Sequence, residues 1–272
     1  MRYSRARARP RSRPNRPHPP RPSPLQAGGW GSIEYGTVGF TDGQVVGGRW
    51  KALQHFSSSF LLKDAFLACG DFGAGAGCFA RNDDALRALD AVATVTLARV
   101  SGAGAVVAAN ATRVALPRGA GAVQWWCLGA GDVATGACEP AGAYLARMGC
   151  AASGADCVLF TALADAASGA PIAASFELLG LPGALALADP GLSWAVAAGA
   201  NADGSVNVTV AAAAAPAAFV TLTTLAQGRF DDNVFWLPAA GAARTVRFIP
   251  FGALDRDLLA TTLRVEHLQQ YL

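Results

Sequence analysis

The chain has 272 residues, enough for one large domain or two of ordinary size, and 52% of them are hydrophobic, which is sufficient for a packed core. Eight arginines lie in residues 1–24, where no Asp or Glu occurs, so the net charge of +3 leaves −5 for the rest of the chain. This mildly acidic remainder gives no reason to expect a nucleic-acid partner. Without an apolar run of about 18 residues, no membrane partner or membrane-spanning helix is expected either.

Residues 1–24 form an Arg/Pro/Ser-rich stretch of low complexity. Proline at this density interrupts helices and removes backbone donors, so we expect a disordered tail or an artefactual start of the sequence. Two other interpretations stay open. A nucleic-acid-binding arm would use the arginines, and an organelle transit peptide would share the Arg-rich, acid-poor composition.

Residues 49–62 carry the clearest helical pattern. Trp50, Leu53, Ser57 and Phe60 recur at the spacing of one helix face. The sequence therefore predicts an amphipathic helix over this stretch.

Most of the remaining sequence alternates apolar and polar residues with a period of two. Half-buried antiparallel strands produce this pattern, and turn residues at short intervals are typical of β-sandwiches. An alternative helix over the Ala-rich residues 211–218 is weakened by Pro216 and by the strand patterns on both sides. The predicted strands lie at 94–97, 122–128, 157–164, 205–210, 220–223, 246–248 and 263–266.

Leu181-Pro182-Gly183 is the best internal break in the β-rich region. It separates modules of about 105 and about 90 residues, near the size of an immunoglobulin-like sandwich. The sequence therefore predicts a mainly β fold of tandem immunoglobulin-like β-sandwiches, at residues 69–182 and 183–272.

The chain contains six cysteines, an even number that fits disulfide bonds. The disulfide candidates are Cys127, Cys138, Cys150 and Cys157, and the sequence leaves their pairing open. None of these cysteines has the CxxC spacing of a zinc site, so no metal is expected.

Two glycosylation sequons begin at Asn110 and Asn207, which are therefore candidate glycosylation sites. Each sequon alone is a weak signal. Together with the cysteines, the two sequons favour a lumenal or secreted protein.

Two segments of the chain resemble β-mannosidases of glycoside hydrolase family 2. Residues 29–36, Gly-Trp-Gly-Ser-Ile-Glu-Tyr-Gly, and residues 48–51, Gly-Arg-Trp-Lys, resemble the last strand and helix of the catalytic (β/α)8 barrel. Residues 228–235, Gly-Arg-Phe-Asp-Asp-Asn-Val-Phe, and residues 244–250, Arg-Thr-Val-Arg-Phe-Ile-Pro, resemble the C-terminal immunoglobulin-like domain of the same enzymes.

The resemblance extends over residues 25–272 and implies that 25–68 are the last strand-helix piece of a glycosidase barrel. Two features depart from the family. Pro-rich sequence stands where the family has a Trp-rich barrel strand, and residues 37–47 interrupt the step between the two barrel motifs. Both departures fit a chain that begins inside a longer gene.

The chemistry of the family needs two carboxylates about 5–5.5 Å apart, one as acid/base and one as nucleophile. Residues 32–36 around Glu34 echo the family's Glu-Tyr/Phe-Gly nucleophile motif, so Glu34 is the tempting candidate. The Gly-Arg-Trp-Lys motif that follows places Glu34 on the last barrel strand, after both catalytic positions, so the resemblance implies a structural role for it. Among the other glutamates, Glu177 and Glu266 are expected at solvated strand positions, and Glu139 has no visible partner. We therefore expect no catalytic residue in this chain, and no cofactor.

Tryptophans provide the remaining site candidates. Trp30 lies in the barrel motif and is the candidate substrate-binding residue, because aromatic faces stack on sugar rings. Trp125 and Trp126 are neighbours in a predicted strand, so alternation predicts one ring in the core and the other on the opposite face. That second ring is a candidate patch for domain docking or sugar binding. His55, on the predicted helix, is expected to be a packing residue.

The resemblance implies a C-terminal fragment of a β-mannosidase-type hydrolase, inactive alone. The family reaction is the retaining hydrolysis of terminal β-D-mannose residues from oligosaccharides and glycoproteins. The implied partners are the missing catalytic barrel of the same enzyme and, through the full enzyme, β-mannoside glycans. The implied location is lysosomal, vacuolar or secreted, although no signal peptide is visible. The alternative is a non-catalytic β-sandwich module that binds carbohydrate or protein.

Overall fold

The computed structural model describes most of the chain between residues 33 and 272. The predicted disordered tail and Trp30 lie outside the described residues, so both stay predictions. None of the helices in the described part of the chain is long and apolar enough to cross a membrane. The described residues are 33–34, 39–41, 44–46, 49–50, 52–56, 58, 63–71, 75–129, 133 and 137–272.

Two short strand pairs precede the sandwiches. β1 (Ile33–Glu34) pairs with β4 (Arg49–Trp50), and β2 (Gly39–Thr41) pairs with β3 (Gln44–Val46). Both pairs are antiparallel, whereas a (β/α)8 barrel is built from parallel strands. The described residues of 25–68 therefore show no barrel-type pairing, and the assignment of this segment to a barrel stays a prediction.

The helix predicted over 49–62 is shorter among the described residues. α1 spans Ala52–Phe56, so the prediction is confirmed there. It is wrong at Arg49–Trp50, which pair with β1 as strand β4. His55 is buried, as expected of a packing residue.

The first sandwich contains two antiparallel sheets, with strand orders β5-β6-β9 and β11-β10-β7-β8. In β7, buried residues alternate with more exposed ones from Leu89 to Leu97, as expected of a strand with one face on the core. One helix, α2, follows β9 and contributes two buried residues, Tyr144 and Leu145. The elements are β5 (Ala65–Asp71), β6 (Ala76–Asn82), β7 (Leu89–Arg99), β8 (Val106–Leu116), β9 (Ala120–Cys127), α2 (Ala141–Arg147), β10 (Cys157–Asp165) and β11 (Pro171–Leu178).

The second sandwich follows a short 3-10 turn at Pro182–Ala184 and has strand orders β12-β13-β17-β15 and β16-β14-β18. Its Ala-rich stretch is not helical: β13 ends and β14 begins within it, so the alternative helix over 211–218 is wrong. The elements are β12 (Leu192–Val196), β13 (Val206–Ala212), β14 (Ala217–Thr223), β15 (Gly228–Phe230), β16 (Phe235–Leu237), β17 (Ala243–Pro250), α3 (Arg256–Thr262), β18 (Arg264–Glu266) and a final 3-10 turn at Leu268–Tyr271.

Each sandwich has its own buried core, and a third apolar cluster joins the two. In this junction cluster the ring of Trp236, from the second sandwich, lies 5.6 Å from that of Phe160 and 5.5 Å from that of Phe176 in the first. Phe219 completes the cluster, 5.4 Å from Phe176. Because these rings are largely removed from water, the two sandwiches are held in contact by apolar burial.

Phe219 reaches the junction cluster from an unusual backbone conformation. Its φ is +52°, a left-handed value that costs roughly 1–2 kcal/mol for a residue with a side chain. The register of β14 against β16 shifts between Ala217 and Val220, so Phe219 lies in a β-bulge. The bulge turns the phenyl ring out of the second core and into the junction.

The predicted fold class is confirmed: the chain is mainly β, with several antiparallel sheets arranged as two sandwiches. Every predicted strand is a strand in the structure. The first sandwich starts at Ala65, four residues ahead of the predicted boundary at 69. The predicted break at Leu181-Pro182-Gly183 lies between the last strand of one sandwich and the first of the next.

Candidate functional site

The three glutamates with described side chains, Glu139, Glu177 and Glu266, do not form a catalytic pair. Glu177 is half-buried rather than solvated, so that prediction is wrong: its Oε1 accepts a hydrogen bond from the Cys69 backbone N–H at 3.3 Å. Burial raises the pKa of Glu177, as a general acid would require, but no other carboxyl group contributes to that shift. A retaining mechanism needs a second carboxylate opposite the first, and no described carboxyl group is among the causes of the Glu177 shift.

Glu139 and Glu266 are held by structural contacts. Glu139, predicted to have no partner, pairs with Arg147 at 2.9 Å. Glu266 is half-buried, so the prediction of a solvated position is wrong for it too, and it accepts hydrogen bonds from Arg264 at 3.0 Å and from the Tyr271 hydroxyl at 2.9 Å. Both carboxylates are therefore used to fix local structure rather than aimed into a cleft.

One surface arginine brings two aspartates together. Arg247 contacts Asp203 at 3.2 Å and Asp231 at 2.9 Å. A hydrogen bond from the Ser205 hydroxyl holds the pKa of Asp203 below its usual value. A carboxylate stabilised in its ionised form on an exposed face is suited to ion pairing and not to proton donation.

The six cysteines form three disulfides among the described residues: Cys69–Cys78, Cys127–Cys138 and Cys150–Cys157. The one described cluster with metal-ligand geometry consists of Cys150, Asp156 and Cys157. Its two sulfurs are bonded to each other, and Asp156 pairs with Arg99, so this cluster is not a metal site.

The tryptophan pair of β9 departs from the alternation expected of a strand. The register of β6 against β9 shifts opposite Trp125, so the strand bulges there. Trp125 is buried in the first core, and Trp126 is half-buried against the same core. The prediction of rings on opposite faces is therefore wrong, because a bulge interrupts the two-residue period.

Trp126 lies in a small aromatic and charged cluster with α2. Its ring meets Tyr144 edge to face at 5.9 Å, and the Arg147 guanidinium lies 5.4 Å from the centre of the Tyr144 ring. Arg147 is in turn paired with Glu139. Sequence reasoning missed Tyr144 and Arg147, although their three-residue spacing on a helix was a usable signal.

Trp126 also lines an opening between the edge strands β8 and β9. Two adjoining cavities, of about 590 and 200 Å³, share Asn110, Trp126 and Gly129, and we call them together the β8–β9 groove. Its other polar lining residues include Thr112 and Arg113.

The two sequons occupy different environments. Asn110 is exposed on β8 and lines the β8–β9 groove. Asn207 is half-buried on β13, and its Oδ1 accepts a hydrogen bond from Asn201 at 3.1 Å. Glycosylation of either asparagine stays a prediction.

The motif at 228–235 has a structural role in the second sandwich. Asn233 is 6% exposed, and its side chain accepts from the Leu222 N–H at 2.8 Å and donates to the Leu222 carbonyl at 2.9 Å. Asp231 accepts hydrogen bonds from both the backbone and the side chain of Arg247. The motif therefore ties β15 and the following turn to β14 and β17.

Residues 187–271 match the family model of the mannosidase Ig-fold domain. These residues are thus similar to a mannosidase-type Ig-fold domain. The resemblance of this part of the sequence to the C-terminal domain of family 2 glycosidases is therefore confirmed, and the motif at 228–235 lies inside the matched segment.

Solved structures extend the likeness beyond this Ig-fold domain. A β-D-mannosidase from Dictyoglomus thermophilum is 13% identical, with a TM-score of 0.56 over 80% of this chain and 23% of that enzyme. An exo-chitosanase of Amycolatopsis orientalis, in complex with PNP-β-D-glucosamine, is 14% identical, with a TM-score of 0.48 over 76% of this chain and 25% of that one. The search of curated proteins returned no match. This chain thus spans about a quarter of the length of either enzyme, and the first likeness shows a shared fold.

Proposed function

We propose that the chain serves as the non-catalytic C-terminal part of a β-mannosidase-type glycoside hydrolase. The observation that carries the proposal is the match of residues 187–271 to the mannosidase Ig-fold domain. Glu177, the described glutamate with a raised pKa, has no described carboxyl group among the causes of that shift, as a retaining pair would require. The β-D-mannosidase of similar fold supports β-mannosides as the substrates of the full enzyme. The partner would be the catalytic barrel of the same enzyme.

The position of α1 suggests how the barrel would be held. The Phe56 ring lies 6.1 Å from Phe176 of the junction cluster. Ala52 and His55 line a small cavity with residues of β14 and β15, including Thr221. The segment that would continue into the barrel therefore touches both sandwiches, so the pair of sandwiches would act as one rigid support.

The three disulfides support a location in the secretory pathway or the lysosome or vacuole, because disulfides persist in oxidising compartments. Expression with a secretory leader is expected to give a protein without free thiols. Reaction of several cysteines with a thiol reagent in the folded, unreduced protein would contradict this location.

Turnover of a chromogenic β-mannoside tests the proposal directly. The purified chain is expected to give no hydrolysis above that of heat-denatured protein, because its described glutamates form no acid/nucleophile pair. Hydrolysis that is abolished by a β-mannosidase inhibitor would overturn the proposal. A transcript that encodes a barrel with two glutamate motifs upstream of residue 25 is expected, and co-expression of that region should yield a complex with this chain.

A further inference from the structure

Asn110 occupies a position that the fold would otherwise fill with an apolar residue. It pairs directly with Val95 of β7, which is 2% exposed and belongs to the first core. Paired residues of antiparallel strands share a face of the sheet, so Asn110 faces the inside of the sandwich. Further along the same row, Val114 and Leu116 are buried, whereas Asn110 is exposed. The interior is therefore open at this point of β8.

The β8–β9 groove is the opening that exposes Asn110. Asn110 lies on one wall and Trp126 on the opposite one. The core residues Val95, Leu97 and Leu159 lie at its base. A groove with an apolar base, an aromatic wall and an exposed amide at its rim suits a ligand with one apolar face and several hydroxyl groups.

The Asn110 amide makes no hydrogen bond with any described residue, and Thr112, which completes its sequon, lines the same groove. Asn207 differs, because its side chain already accepts a hydrogen bond from Asn201. Asn110 is also exposed whereas Asn207 is half-buried, so of the two sequons the one at Asn110 offers the more accessible Nδ2 for modification.

We propose that Asn110 carries an N-linked glycan whose first sugar lies in the β8–β9 groove against Trp126. The proposal rests on the secretory location proposed above. The Asn110 Nδ2 forms a bond to the anomeric carbon of a lipid-diphosphate-linked oligosaccharide. The bond from that carbon to the diphosphate oxygen breaks, the lipid diphosphate leaves, and one Nδ2 proton is lost. The sugar ring then covers the open row of β8.

Secreted protein from eukaryotic cells gives the test of occupancy. Intact mass before and after treatment with peptide-N-glycosidase is expected to show one glycan that is absent from Asn110→Gln and from Thr112→Ala. Thr112→Ser keeps the sequon and should keep the glycan. A protein with oxidised cysteines and no glycan at Asn110 overturns this proposal and leaves the proposed location standing. Reduced cysteines in that product would count against the location instead.

Thermal unfolding tests whether the first sugar lies in the β8–β9 groove against Trp126. Trimming the glycan to its first N-acetylglucosamine should leave Tm unchanged, whereas Thr112→Ala should lower it by about 2–4 °C relative to Thr112→Ser. The same difference in Tm between Thr112→Ala and Thr112→Ser should be found when each is combined with Trp126→Phe, which keeps an aromatic face. It should vanish when each is combined with Trp126→Leu. An equal difference in all three backgrounds would show that the sugar points into solvent and would overturn the proposed contact. So would a concentration-dependent dimer with Asn110 unmodified, because a second copy would then fill the groove.

Discussion

Asn233 offers the sharpest test of how the second sandwich is built. Its side chain makes two hydrogen bonds to the backbone of Leu222, on the side of β14 away from β18. β16 pairs with β14 only as far as Val220, so the amide takes the place that the next backbone group of β16 would have. Leu222 is 2% exposed, so water does not replace the amide if it is removed.

Asn233→Ala should therefore leave a buried N–H and a buried C=O without partners. Each such group costs about 1–3 kcal/mol, so the free energy of unfolding of the second sandwich should fall by roughly 2–6 kcal/mol. With a urea slope of about 1–3 kcal/mol per M, the midpoint should move down by about 1–2 M. The folded protein should keep its β-sheet circular dichroism, since the overall pairing of β14 with β18 does not depend on the amide.

Asn201→Ala is the matched control for this prediction. Asn201 also makes two side-chain hydrogen bonds, to Ser205 at 2.8 Å and to Asn207 at 3.1 Å, but at a half-exposed site where water can replace them. Asn201→Ala should therefore lower the free energy of unfolding by only about 0.5–1.5 kcal/mol. Equal midpoints for the two variants would refute the argument that burial of the Leu222 backbone makes Asn233 important.

Three further predictions concern packing and charge. Gly228→Ala would bring a Cβ to 2.3 Å from the Phe248 ring, so it should lower the urea midpoint of unfolding. The control, Gly252→Ala, has open space around its Cβ and should leave the midpoint unchanged. Equal midpoints for the two variants would contradict this account of the packing. Burial raises the pKa of Glu177 in the folded state, so wild-type stability should fall as pH rises through the interval between the unfolded and folded pKa values. Glu177→Gln should therefore gain stability relative to wild type as pH rises above the ordinary pKa of a glutamate, and a pH-independent difference in urea midpoint would refute this. Phe176→Ala should lower the free energy of unfolding by about 2 kcal/mol and split calorimetric unfolding into two transitions, because the Phe176 ring joins the two sandwiches. The control, Leu181→Ala, changes an exposed side chain and should leave a single transition. A single transition in both variants would count against the role of the junction cluster.

Local patterns were sufficient to predict the architecture. Alternation at 205–210 or 246–248 reports that a strand has one covered face, and no knowledge of the partner is needed to read it. The mannosidase-type domain was indicated by the resemblance of residues 228–235 to a family motif. The structure gives two of these residues definite roles, since Gly228 packs closely against Phe248 and Asn233 makes buried hydrogen bonds.

What the sequence left open depends on contacts between distant residues. Alternation along a strand divides its residues between the two faces of the sheet. Only the packing of the sheets against each other decides whether the face with Glu177 or Asn110 is covered. The edge of β5 makes Glu177 half-buried, and the gap beside β9 leaves Asn110 open to solvent. The bulge at Trp125 also depends on contacts between distant residues, because it arises from the register between β6 and β9 and not from β9 alone. Composition and period thus determined which segments are strands, and the tertiary structure decided which side chains are buried, because burial is a property of neighbours that the chain brings together only on folding.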